Sequence, residues 1–369
     1  MHVLILANND GGLFKFRREL LERLTKKYEV SCCVPDGKYV KRLKSLGCQH
    51  ISCSLLNRRG TNPLQEIRLL WYYRKILRET SPDIVLTYTI KPNVYGGMVC
   101  AQVGIPYIVN ITGLGSAVEN SSILQKITIP LYRYGLRKAK KVFFQNEANR
   151  DFMLQKQMVS SPYDVLPGSG VNLEHYCVLD YPQSDIVEFA FIARITKEKG
   201  IEEYLMAAKY FSIKNPRTRF HVCGACEDEY DEILGQLHNQ KVIVYHREVE
   251  DVRTIHTISS CTIHPTYYPE GMSNVLLESC ACGRPIITTD RPGCREIVED
   301  GINGFIVKQR DSHDLIAKIE KFLALSWDER REMGLAGRTK VEREFDRQIV
   351  IKKYMREIED GLQKDHQEP

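Results

Sequence analysis

One alternation limits the fold more than any other feature, and it occurs twice along the chain. Short runs that are apolar throughout alternate with longer amphipathic stretches. The first series is Val3–Leu6, Glu29–Val34, Ile84–Tyr88, Tyr107–Ile111 and Lys141–Phe144. Helix-like segments lie between its members, at Phe14–Lys27, Asn62–Glu79 and Ile123–Lys138. The second series is Phe189–Ala193, Arg219–Cys223, Val242–Tyr245, Cys261–His264 and Pro285–Thr289, with helices at about 200–214, 274–282 and 312–323. A strand with one wet face alternates polar and apolar residues. A strand apolar on both faces belongs to a parallel sheet covered by helices on both sides. The expected class is therefore α/β, with two Rossmann-like domains whose parallel sheets face each other across a cleft. The expected boundaries are 1–165 for the first domain, 166–186 for a linker, 187–345 for the second domain, and 346–369 for a C-terminal helix packing back toward the first.

The bulk properties agree with two domains. A chain of 369 residues, 43% hydrophobic, exceeds what one core usually holds. Charged residues make up 27%, an ordinary globular share that argues against disorder. The net charge of +5 is too small to argue for nucleic acid, but it would help at an anionic membrane surface. The 12 cysteines sit largely inside apolar runs such as Val30–Val34, which is not a disulfide framework. The opening run Met1–Leu6 is short for a signal peptide and lacks a basic leader and a small-residue cleavage site. No stretch approaches the roughly 20 apolar residues of a membrane span. A reduced, cytoplasmic protein is the expectation.

Ligands of open α/β sheets bind beyond the carboxyl ends of the strands. Three candidate segments lie there. Glu270-Gly271-Met272-Ser273-Asn274-Val275-Leu276-Leu277-Glu278 follows the strand Cys261–His264. Ser273 can cap a helix starting near Asn274, and the amides of that helix start favour an anion such as a diphosphate. Two acids around a phosphate-binding helix suit a ligand with phosphates in its middle and hydroxyl-rich sugars at both ends. Glu278, one turn in, would hold a ribose diol, and Glu270 a transferred sugar. The plainer alternative, two solvated acids on a surface loop, weakens once the neighbouring segments are counted.

Arg194 and Lys199, in Ala193-Arg194-Ile195-Thr196-Lys197-Glu198-Lys199-Gly200, follow the first strand of the second series. Fixed cations there would stabilise a departing diphosphate. Lys197 is read as an ordinary basic loop residue. Gly11 and Gly12 follow the first strand of the chain, where adjacent glycines allow close backbone approach to a phosphate. The loop lacks the G-x-G-x-x-G spacing of a dinucleotide site.

These segments together resemble glycosyltransferase family 4, of the GT-B fold. The resemblance rests on Arg194 with Lys199, on the E-x7-E of Glu270 and Glu278, on Ala281-Cys282-Gly283-Arg284-Pro285-Ile286-Ile287, and on Arg291-Pro292-Gly293-Cys294-Arg295-Glu296-Ile297-Val298. In the N-terminal half, Thr87–Gly96 and Asn110–Gly115 are similar to the capsule, O-antigen and exopolysaccharide branch. The resemblance implies a retaining, metal-independent hexosyltransferase without a cofactor. Its co-substrate would be a nucleotide sugar, usually UDP-linked. The acceptor would be a glycan on undecaprenyl diphosphate. It assigns the diphosphate to Arg194 and Lys199 and the ribose to Glu278. The donor sugar falls to Glu270 with the Gly271 and Met272 backbone, joined by Ser273 and Asn274. Gly11 and Gly12 would approach the donor phosphates, and Arg194, Lys199 and Glu270 would be the catalytic residues. Thr89, Lys91, Asn93 and Thr112 are the acceptor-side candidates in the first domain. Some relatives carry a His after the fourth strand; Asn110–Gly115 has none, so no base is assigned. A front-face mechanism, in which the leaving phosphate takes the acceptor proton, needs none.

Other signals read as structural. Cys223-Gly224-Ala225-Cys226 has no second pair at finger-like spacing. Asp228, Glu229, Asp231 and Glu232 form a solvated acidic run, and His246, His256 and His264 lack helical ligand spacing. Trp71, Tyr72 and Tyr73 are expected in the core. Ser121–Lys141 carries Lys126, Arg133, Arg137, Lys138, Lys140 and Lys141 without an acid, among Ile123, Leu124, Ile127, Ile129, Leu131 and Leu136. Arg58, Arg59, Arg68, Arg74, Lys75 and Arg78 add a second basic group. Peripheral association with the inner face of the cell membrane, through the first domain, is the expectation.

Three other functions compete with a transferase. A sugar-nucleotide epimerase on the same architecture would need an acid/base set and no membrane-facing surface. A non-catalytic partner would not need Arg194, Lys199, Glu270 and Glu278 intact. A nicotinamide-dependent oxidoreductase would need the dinucleotide fingerprint.

Overall fold

The computed structural model of the chain describes residues 1–56, 62–115, 123–226 and 229–365. Two compact units emerge: Met1–Ser169 with Ile349–Pro369, and Gly170–Gln348.

The first unit is built on seven strands: β1 (His2–Leu6), β2 (Glu29–Val34), β3 (Gln49–Ser52), β4 (Ile84–Tyr88), β5 (Tyr107–Ile111), β6 (Lys141–Phe144) and β7 (Tyr163–Val165). All pairings are parallel, in the order β3-β2-β1-β4-β5-β6-β7. Register places Ile5 between Cys32 and Leu86. Successive side chains point to opposite faces. Val3 and Ile5 pack on one side, with residues of helices Asp10–Thr25 and Arg347–Asp365. Leu4 and Leu6 pack on the other, with residues of Pro63–Thr80, Gly97–Val103 and Ile123–Leu136. Both faces are dry, which is why the strand sequence is apolar throughout.

The helix Arg347–Asp365 belongs to this unit from Ile349 on. Tyr354 is its anchor: the ring lies 4.9 Å from Phe143, and the hydroxyl accepts from Asn110 Nδ2 at 2.7 Å. Lys353 Nζ adds an ion pair with Asp164 at 2.8 Å.

The second unit has six parallel strands: β8 (Val187–Ile192), β9 (Thr218–Cys223), β10 (Val244–Arg247), β11 (Cys261–His264), β12 (Ile286–Thr289) and β13 (Gly304–Val307), in the order β10-β9-β8-β11-β12-β13. In each sheet the chain runs outward to one edge, then returns to the centre and runs to the other. The reversal falls between β1 and β4 in the first unit and between β8 and β11 in the second. That is where a crevice opens at the strand ends of such sheets.

Several expectations need correction. The first helix begins at Asp10, not Phe14, because Asn9 caps it: its side chain accepts from Gly12 N at 2.5 Å. Gly11 and Gly12 are thus a first helical turn rather than a loop. The strand expected at Val242 begins at Val244, since the amides of Val242 and Ile243 still bond Leu237 O and close the preceding helix. Trp71 is not in the core; it is 68% exposed, while Tyr73 is fully buried. Two residues apart on a helix, they point about 200° away from each other. Arg58, Arg59, Ser121 and Asp228 lie outside the described residues.

Arg284 is fully buried. Its guanidinium donates to the carbonyls of His256 (2.8 Å), Leu179 (3.1 Å) and Asp180 (2.6 Å). A buried charge needs such compensation, and here it pins the 179–180 segment to the helix before β11.

Candidate active site

In the second unit, the loops after β8 and β11 are tied to each other before any ligand arrives. Tyr267 N donates to Glu198 O at 2.9 Å, and Thr266 Oγ1 to the same carbonyl at 3.2 Å. Gly200 sits at φ +80, where a Cβ would lie 2.2 Å from Pro265 O. Only glycine fits that approach. The turn Lys197–Lys199 is thereby held against the start of the β11 loop, which brings Lys199 to Glu270.

Lys199 Nζ donates to Glu270 Oε1, and the two side chains are only 11% and 14% exposed. His264, the last residue of β11, places Nε2 3.6 Å from the same carboxylate oxygen. That is long for a hydrogen bond but within electrostatic reach. Burial alone would raise the Glu270 pKa; the Lys199 charge and the facing His264 outweigh it and hold the carboxyl at about 2. Glu270 is therefore an acceptor of hydrogen bonds, not an acid. Burial, against the pull of Glu270 and aided by the Lys199 charge, lowers the His264 pKa.

Tyr268 lies beneath both cations of the β8 loop. Lys199 Nζ is 5.0 Å from its ring centre and the Arg194 guanidinium 5.7 Å. Arg194, Lys199, Glu270 and Tyr268 thus form one cluster at the reversal point of the sheet.

The helix Asn274–Ala281 starts beside this cluster. Ser273 stands at its N-cap in extended geometry, but its side chain makes no capping hydrogen bond. Its backbone N–H is already taken by Gly293 O at 2.8 Å, and the residue is 3% exposed. The expected side-chain cap is therefore absent. No side chain at this position competes with a ligand for the first helical amides, so the positive end of the helix is offered to an anion. Glu278, one turn on, is half-exposed and faces Tyr176. Burial and the Glu278 carboxylate raise the Tyr176 phenol well above its ordinary range.

The turn after β12 props this loop from behind. Gly293 has φ +88, and a Cβ there would fall 2.8 Å from Gly271 O and 2.9 Å from Glu270 Cβ. Glu296 accepts from Gly293 N at 2.7 Å and holds the turn. Met272 is buried with Leu276, Leu277 and Cys280, so its side chain packs in the core. Among the described residues, no group of three His, Cys, Asp or Glu stands arranged for a metal ion.

In the first unit, the start of helix Asp10–Thr25 is fixed from two sides. Asn9 takes the Gly12 amide, and buried Asp10 accepts from Tyr39 N at 2.8 Å. A Cβ on Gly11 would lie 3.1 Å from the Tyr39 ring. After β4, Thr89 adopts φ +72, costly for a β-branched residue. It turns the chain into the single π-helical turn Pro92–Gly96. Asn93 is buried and donates from Nδ2 to Asn110 O at 2.8 Å. Lys91 pairs with Glu66 at 2.6 Å, both largely buried, and Thr112 is half-exposed.

In the sequence His264 was set aside as structural, and Tyr268, Tyr176 and Gly293 were not singled out. Only Gly293 left a signal, since it lies in the quoted Arg291–Val298 segment. The others are aromatic side chains that the fold folds back toward charged partners.

Two parallel-sheet Rossmann-like units, each with its candidate residues at the strand-order reversal, define the GT-B class of glycosyltransferases. Family models place the chain within it. Residues 183–340 match the glycosyl transferases group 1 model, and residues 2–146 match the glycosyl transferase 4-like model. The chain belongs to this glycosyltransferase family and is an enzyme of that class. It is 24% identical, over 96% of its length and 98% of the relative's, to N,N'-diacetylbacillosaminyl-diphospho-undecaprenol alpha-1,3-N-acetylgalactosaminyltransferase of Campylobacter jejuni. Over 45% of its length and 44% of the relative's it is 32% identical to the capsular polysaccharide biosynthesis glycosyltransferase CapM of Staphylococcus aureus. Its fold is similar to that of Anabaena Alr3699/HepE in complex with UDP-glucose, with a TM-score of 0.80 at 17% identity over 98% of this chain and 99% of that one.

Proposed function

We propose that this enzyme moves a hexose or N-acetylhexosamine from a UDP-sugar to a saccharide carried on undecaprenyl diphosphate, with retention of anomeric configuration, in the synthesis of a bacterial surface polysaccharide or glycan. The observation that carries the reading is the Lys199–Glu270 pair beside a helix start whose N-cap side chain leaves the amides to a ligand. It supplies cation, anion and directed amides at one strand-order reversal.

In this reading the diphosphate lies against the Asn274 helix start, with Arg194 and Lys199 neutralising the charge that grows as it departs. Lys199 exchanges part of its contact with Glu270 for a phosphate oxygen. Glu270, kept ionised, accepts from hydroxyls of the transferred sugar and orients its anomeric carbon. Glu278 accepts from the ribose diol, with Tyr176 fixing its rotamer. In the first unit, the glycine turn Gly11–Gly12 admits the donor phosphates closely. Thr89, Lys91, Asn93 and Thr112 line or support the acceptor side. The buried Asn93 and the paired Lys91 support rather than touch.

The chemical step needs no protein nucleophile and no metal. The bond from the anomeric carbon to the β-phosphate oxygen breaks, and a bond to the acceptor hydroxyl oxygen forms on the same face. The acceptor's proton goes to the departing phosphate oxygen. The relative from Campylobacter jejuni, named for an undecaprenol-diphosphate acceptor, supports the lipid-linked acceptor. The fold's likeness to a UDP-glucose complex supports the donor. The enzyme would then work at the cytoplasmic face of the membrane as a peripheral protein. A panel of nucleotide sugars offered with lipid-linked acceptors, with UDP release measured, tests the reading. Hydrolysis-level UDP release with every pair would sink it.

A further inference from the structure

The helix Pro63–Thr80 buries Leu69, Tyr73, Ile76 and Leu77 against the first sheet. Its outer side carries three large apolar side chains in water: Leu64 at 67% exposure, Ile67 at 51% and Trp71 at 68%. Their spacing of three and four residues makes one stripe. Arg74, Lys75 and Arg78 continue it toward the helix end. At 100° per residue these six side chains fall within an arc of about 100°. The face holds little acid: Glu79 pairs with Lys75 at 3.6 Å, and Glu66 is turned inward to Lys91. The helix Ile123–Leu136, which packs on the same Pro92–Gly96 segment, presents Ile127 at 57% and Tyr134 at 40% exposure, with Lys126 also exposed.

Single exposed apolar residues need no explanation. A tryptophan at the end of an apolar stripe, where it runs into a row of cations, does. It is the pattern of a helix lying in a membrane interface, where the ring sits at headgroup depth and the cations meet lipid phosphates. A second copy of the chain is a poorer occupant, because its own Arg74, Lys75 and Arg78 would repel these.

We propose that the outer face of helix Pro63–Thr80 is the membrane-docking surface of this enzyme. Leu64, Ile67 and Trp71 enter an anionic bilayer interface, and Arg74, Lys75 and Arg78 bind its phosphates. The proposal rests on the lipid-linked acceptor reading above and names the surface that reaches it. The basic group earlier assigned to the 121–141 stretch contributes less, since Lys141 pairs with Glu357 at 3.1 Å and Arg133 donates to Gln157 O at 2.8 Å.

The chain has two tryptophans, and Trp327 in the other unit donates to Pro182 O at 2.8 Å. In the full-length Trp327→Phe protein, Trp71 is therefore the sole reporter. Phosphatidylcholine vesicles with and without phosphatidylglycerol are the probe. The expected result is a blue shift of Trp71 emission and co-sedimentation with the anionic vesicles only. Trp71→Ala, made in the wild-type background, should weaken binding about tenfold. Arg74→Glu and Arg78→Glu should each weaken it about fivefold at low salt. Thermal melts confirm that the variants fold. Absence of a blue shift, undiminished sedimentation of Trp71→Ala, or equal binding to neutral vesicles would each overturn the proposal. So would vesicle-free dimers that Trp71→Ala dissolves. UDP release with a water-soluble saccharide acceptor should be the same in wild type and Trp71→Ala. Its absence from both would tell against the transferase reading and leave the vesicle result standing.

Discussion

Lys199 and Glu270 lie 71 residues apart in sequence and form a nearly buried ion pair between the loops of two adjacent central strands. Neither loop alone makes a site. The pair exists because Gly200 lets the first loop close on Pro265, and because Gly293 lets a third loop close on Gly271. The charges are therefore set by backbone packing before a ligand binds.

Lys199→Ala leaves the Glu270 carboxylate buried without its cation. Breaking such a pair from one side costs about 3 kcal/mol or more. Thermal unfolding should show the loss, and UDP release should fall about 10²–10³-fold. Unchanged melting and unchanged turnover would remove Lys199 from the site.

The depressed pKa of Glu270 has a sign that denaturation can read. Its folded value is about 2 against an ordinary 4.5. A group bound more tightly as its anion stabilises the fold fully above its unfolded value and ceases to do so as pH falls through the folded one. The contribution should thus be present at pH 7 and be lost between about pH 4.5 and pH 2. Urea denaturation over this range should be steeper with pH for wild type than for Glu270→Gln. Equal slopes would mean that Lys199 and His264 do not hold the charge.

Glu278→Ala should raise the KM for the nucleotide sugar, with a smaller effect on the binding of a fragment that lacks ribose. It should also let the Tyr176 phenol titrate at lower pH, because that carboxylate helps to hold it up. Ultraviolet titration checks this in the absence of any substrate. A KM equal to wild type would take the ribose away from Glu278.

Gly293→Ala forces a left-handed residue and places a methyl 2.8 Å from Gly271 O. The expected cost is about 1–3 kcal/mol in stability. The Glu270 loop must also shift, so kcat/KM should fall more than the stability loss explains. A variant that melts lower but turns over normally would mean that the turn merely supports the fold.

The sheets were legible because burial on both faces leaves unbroken apolar runs such as Val3–Leu6. The edge strands Gln49–Ser52, Tyr163–Val165 and Gly304–Val307 escaped notice. The first two are short and carry polar residues, and the third opens on a glycine. The charged helix Trp327–Glu344 hid for the opposite reason: it exposes most of its surface, burying only Met333, Gly334, Gly337 and Val341 among its residues. At the site, Arg194, Lys199, Glu270 and Glu278 were readable because residue type and position after a strand both spoke for them. His264 was not, since a histidine ending a buried strand looks like core until its neighbour proves to be a carboxylate. Trp71 was misplaced because an aromatic triplet invites one assignment, whereas a helix sends its members to different sides.

The central claim is transfer with retention from a UDP-sugar bound at the Lys199–Glu270 cluster. The most direct test is to run the reaction with a UDP-α-sugar and a lipid-linked acceptor, and to read the new linkage by its anomeric coupling constant while counting UDP. The account predicts an α-linked product, one UDP per linkage, and loss of both in Lys199→Ala. A β-linked product, or full transfer by the folded Lys199→Ala enzyme, would contradict it.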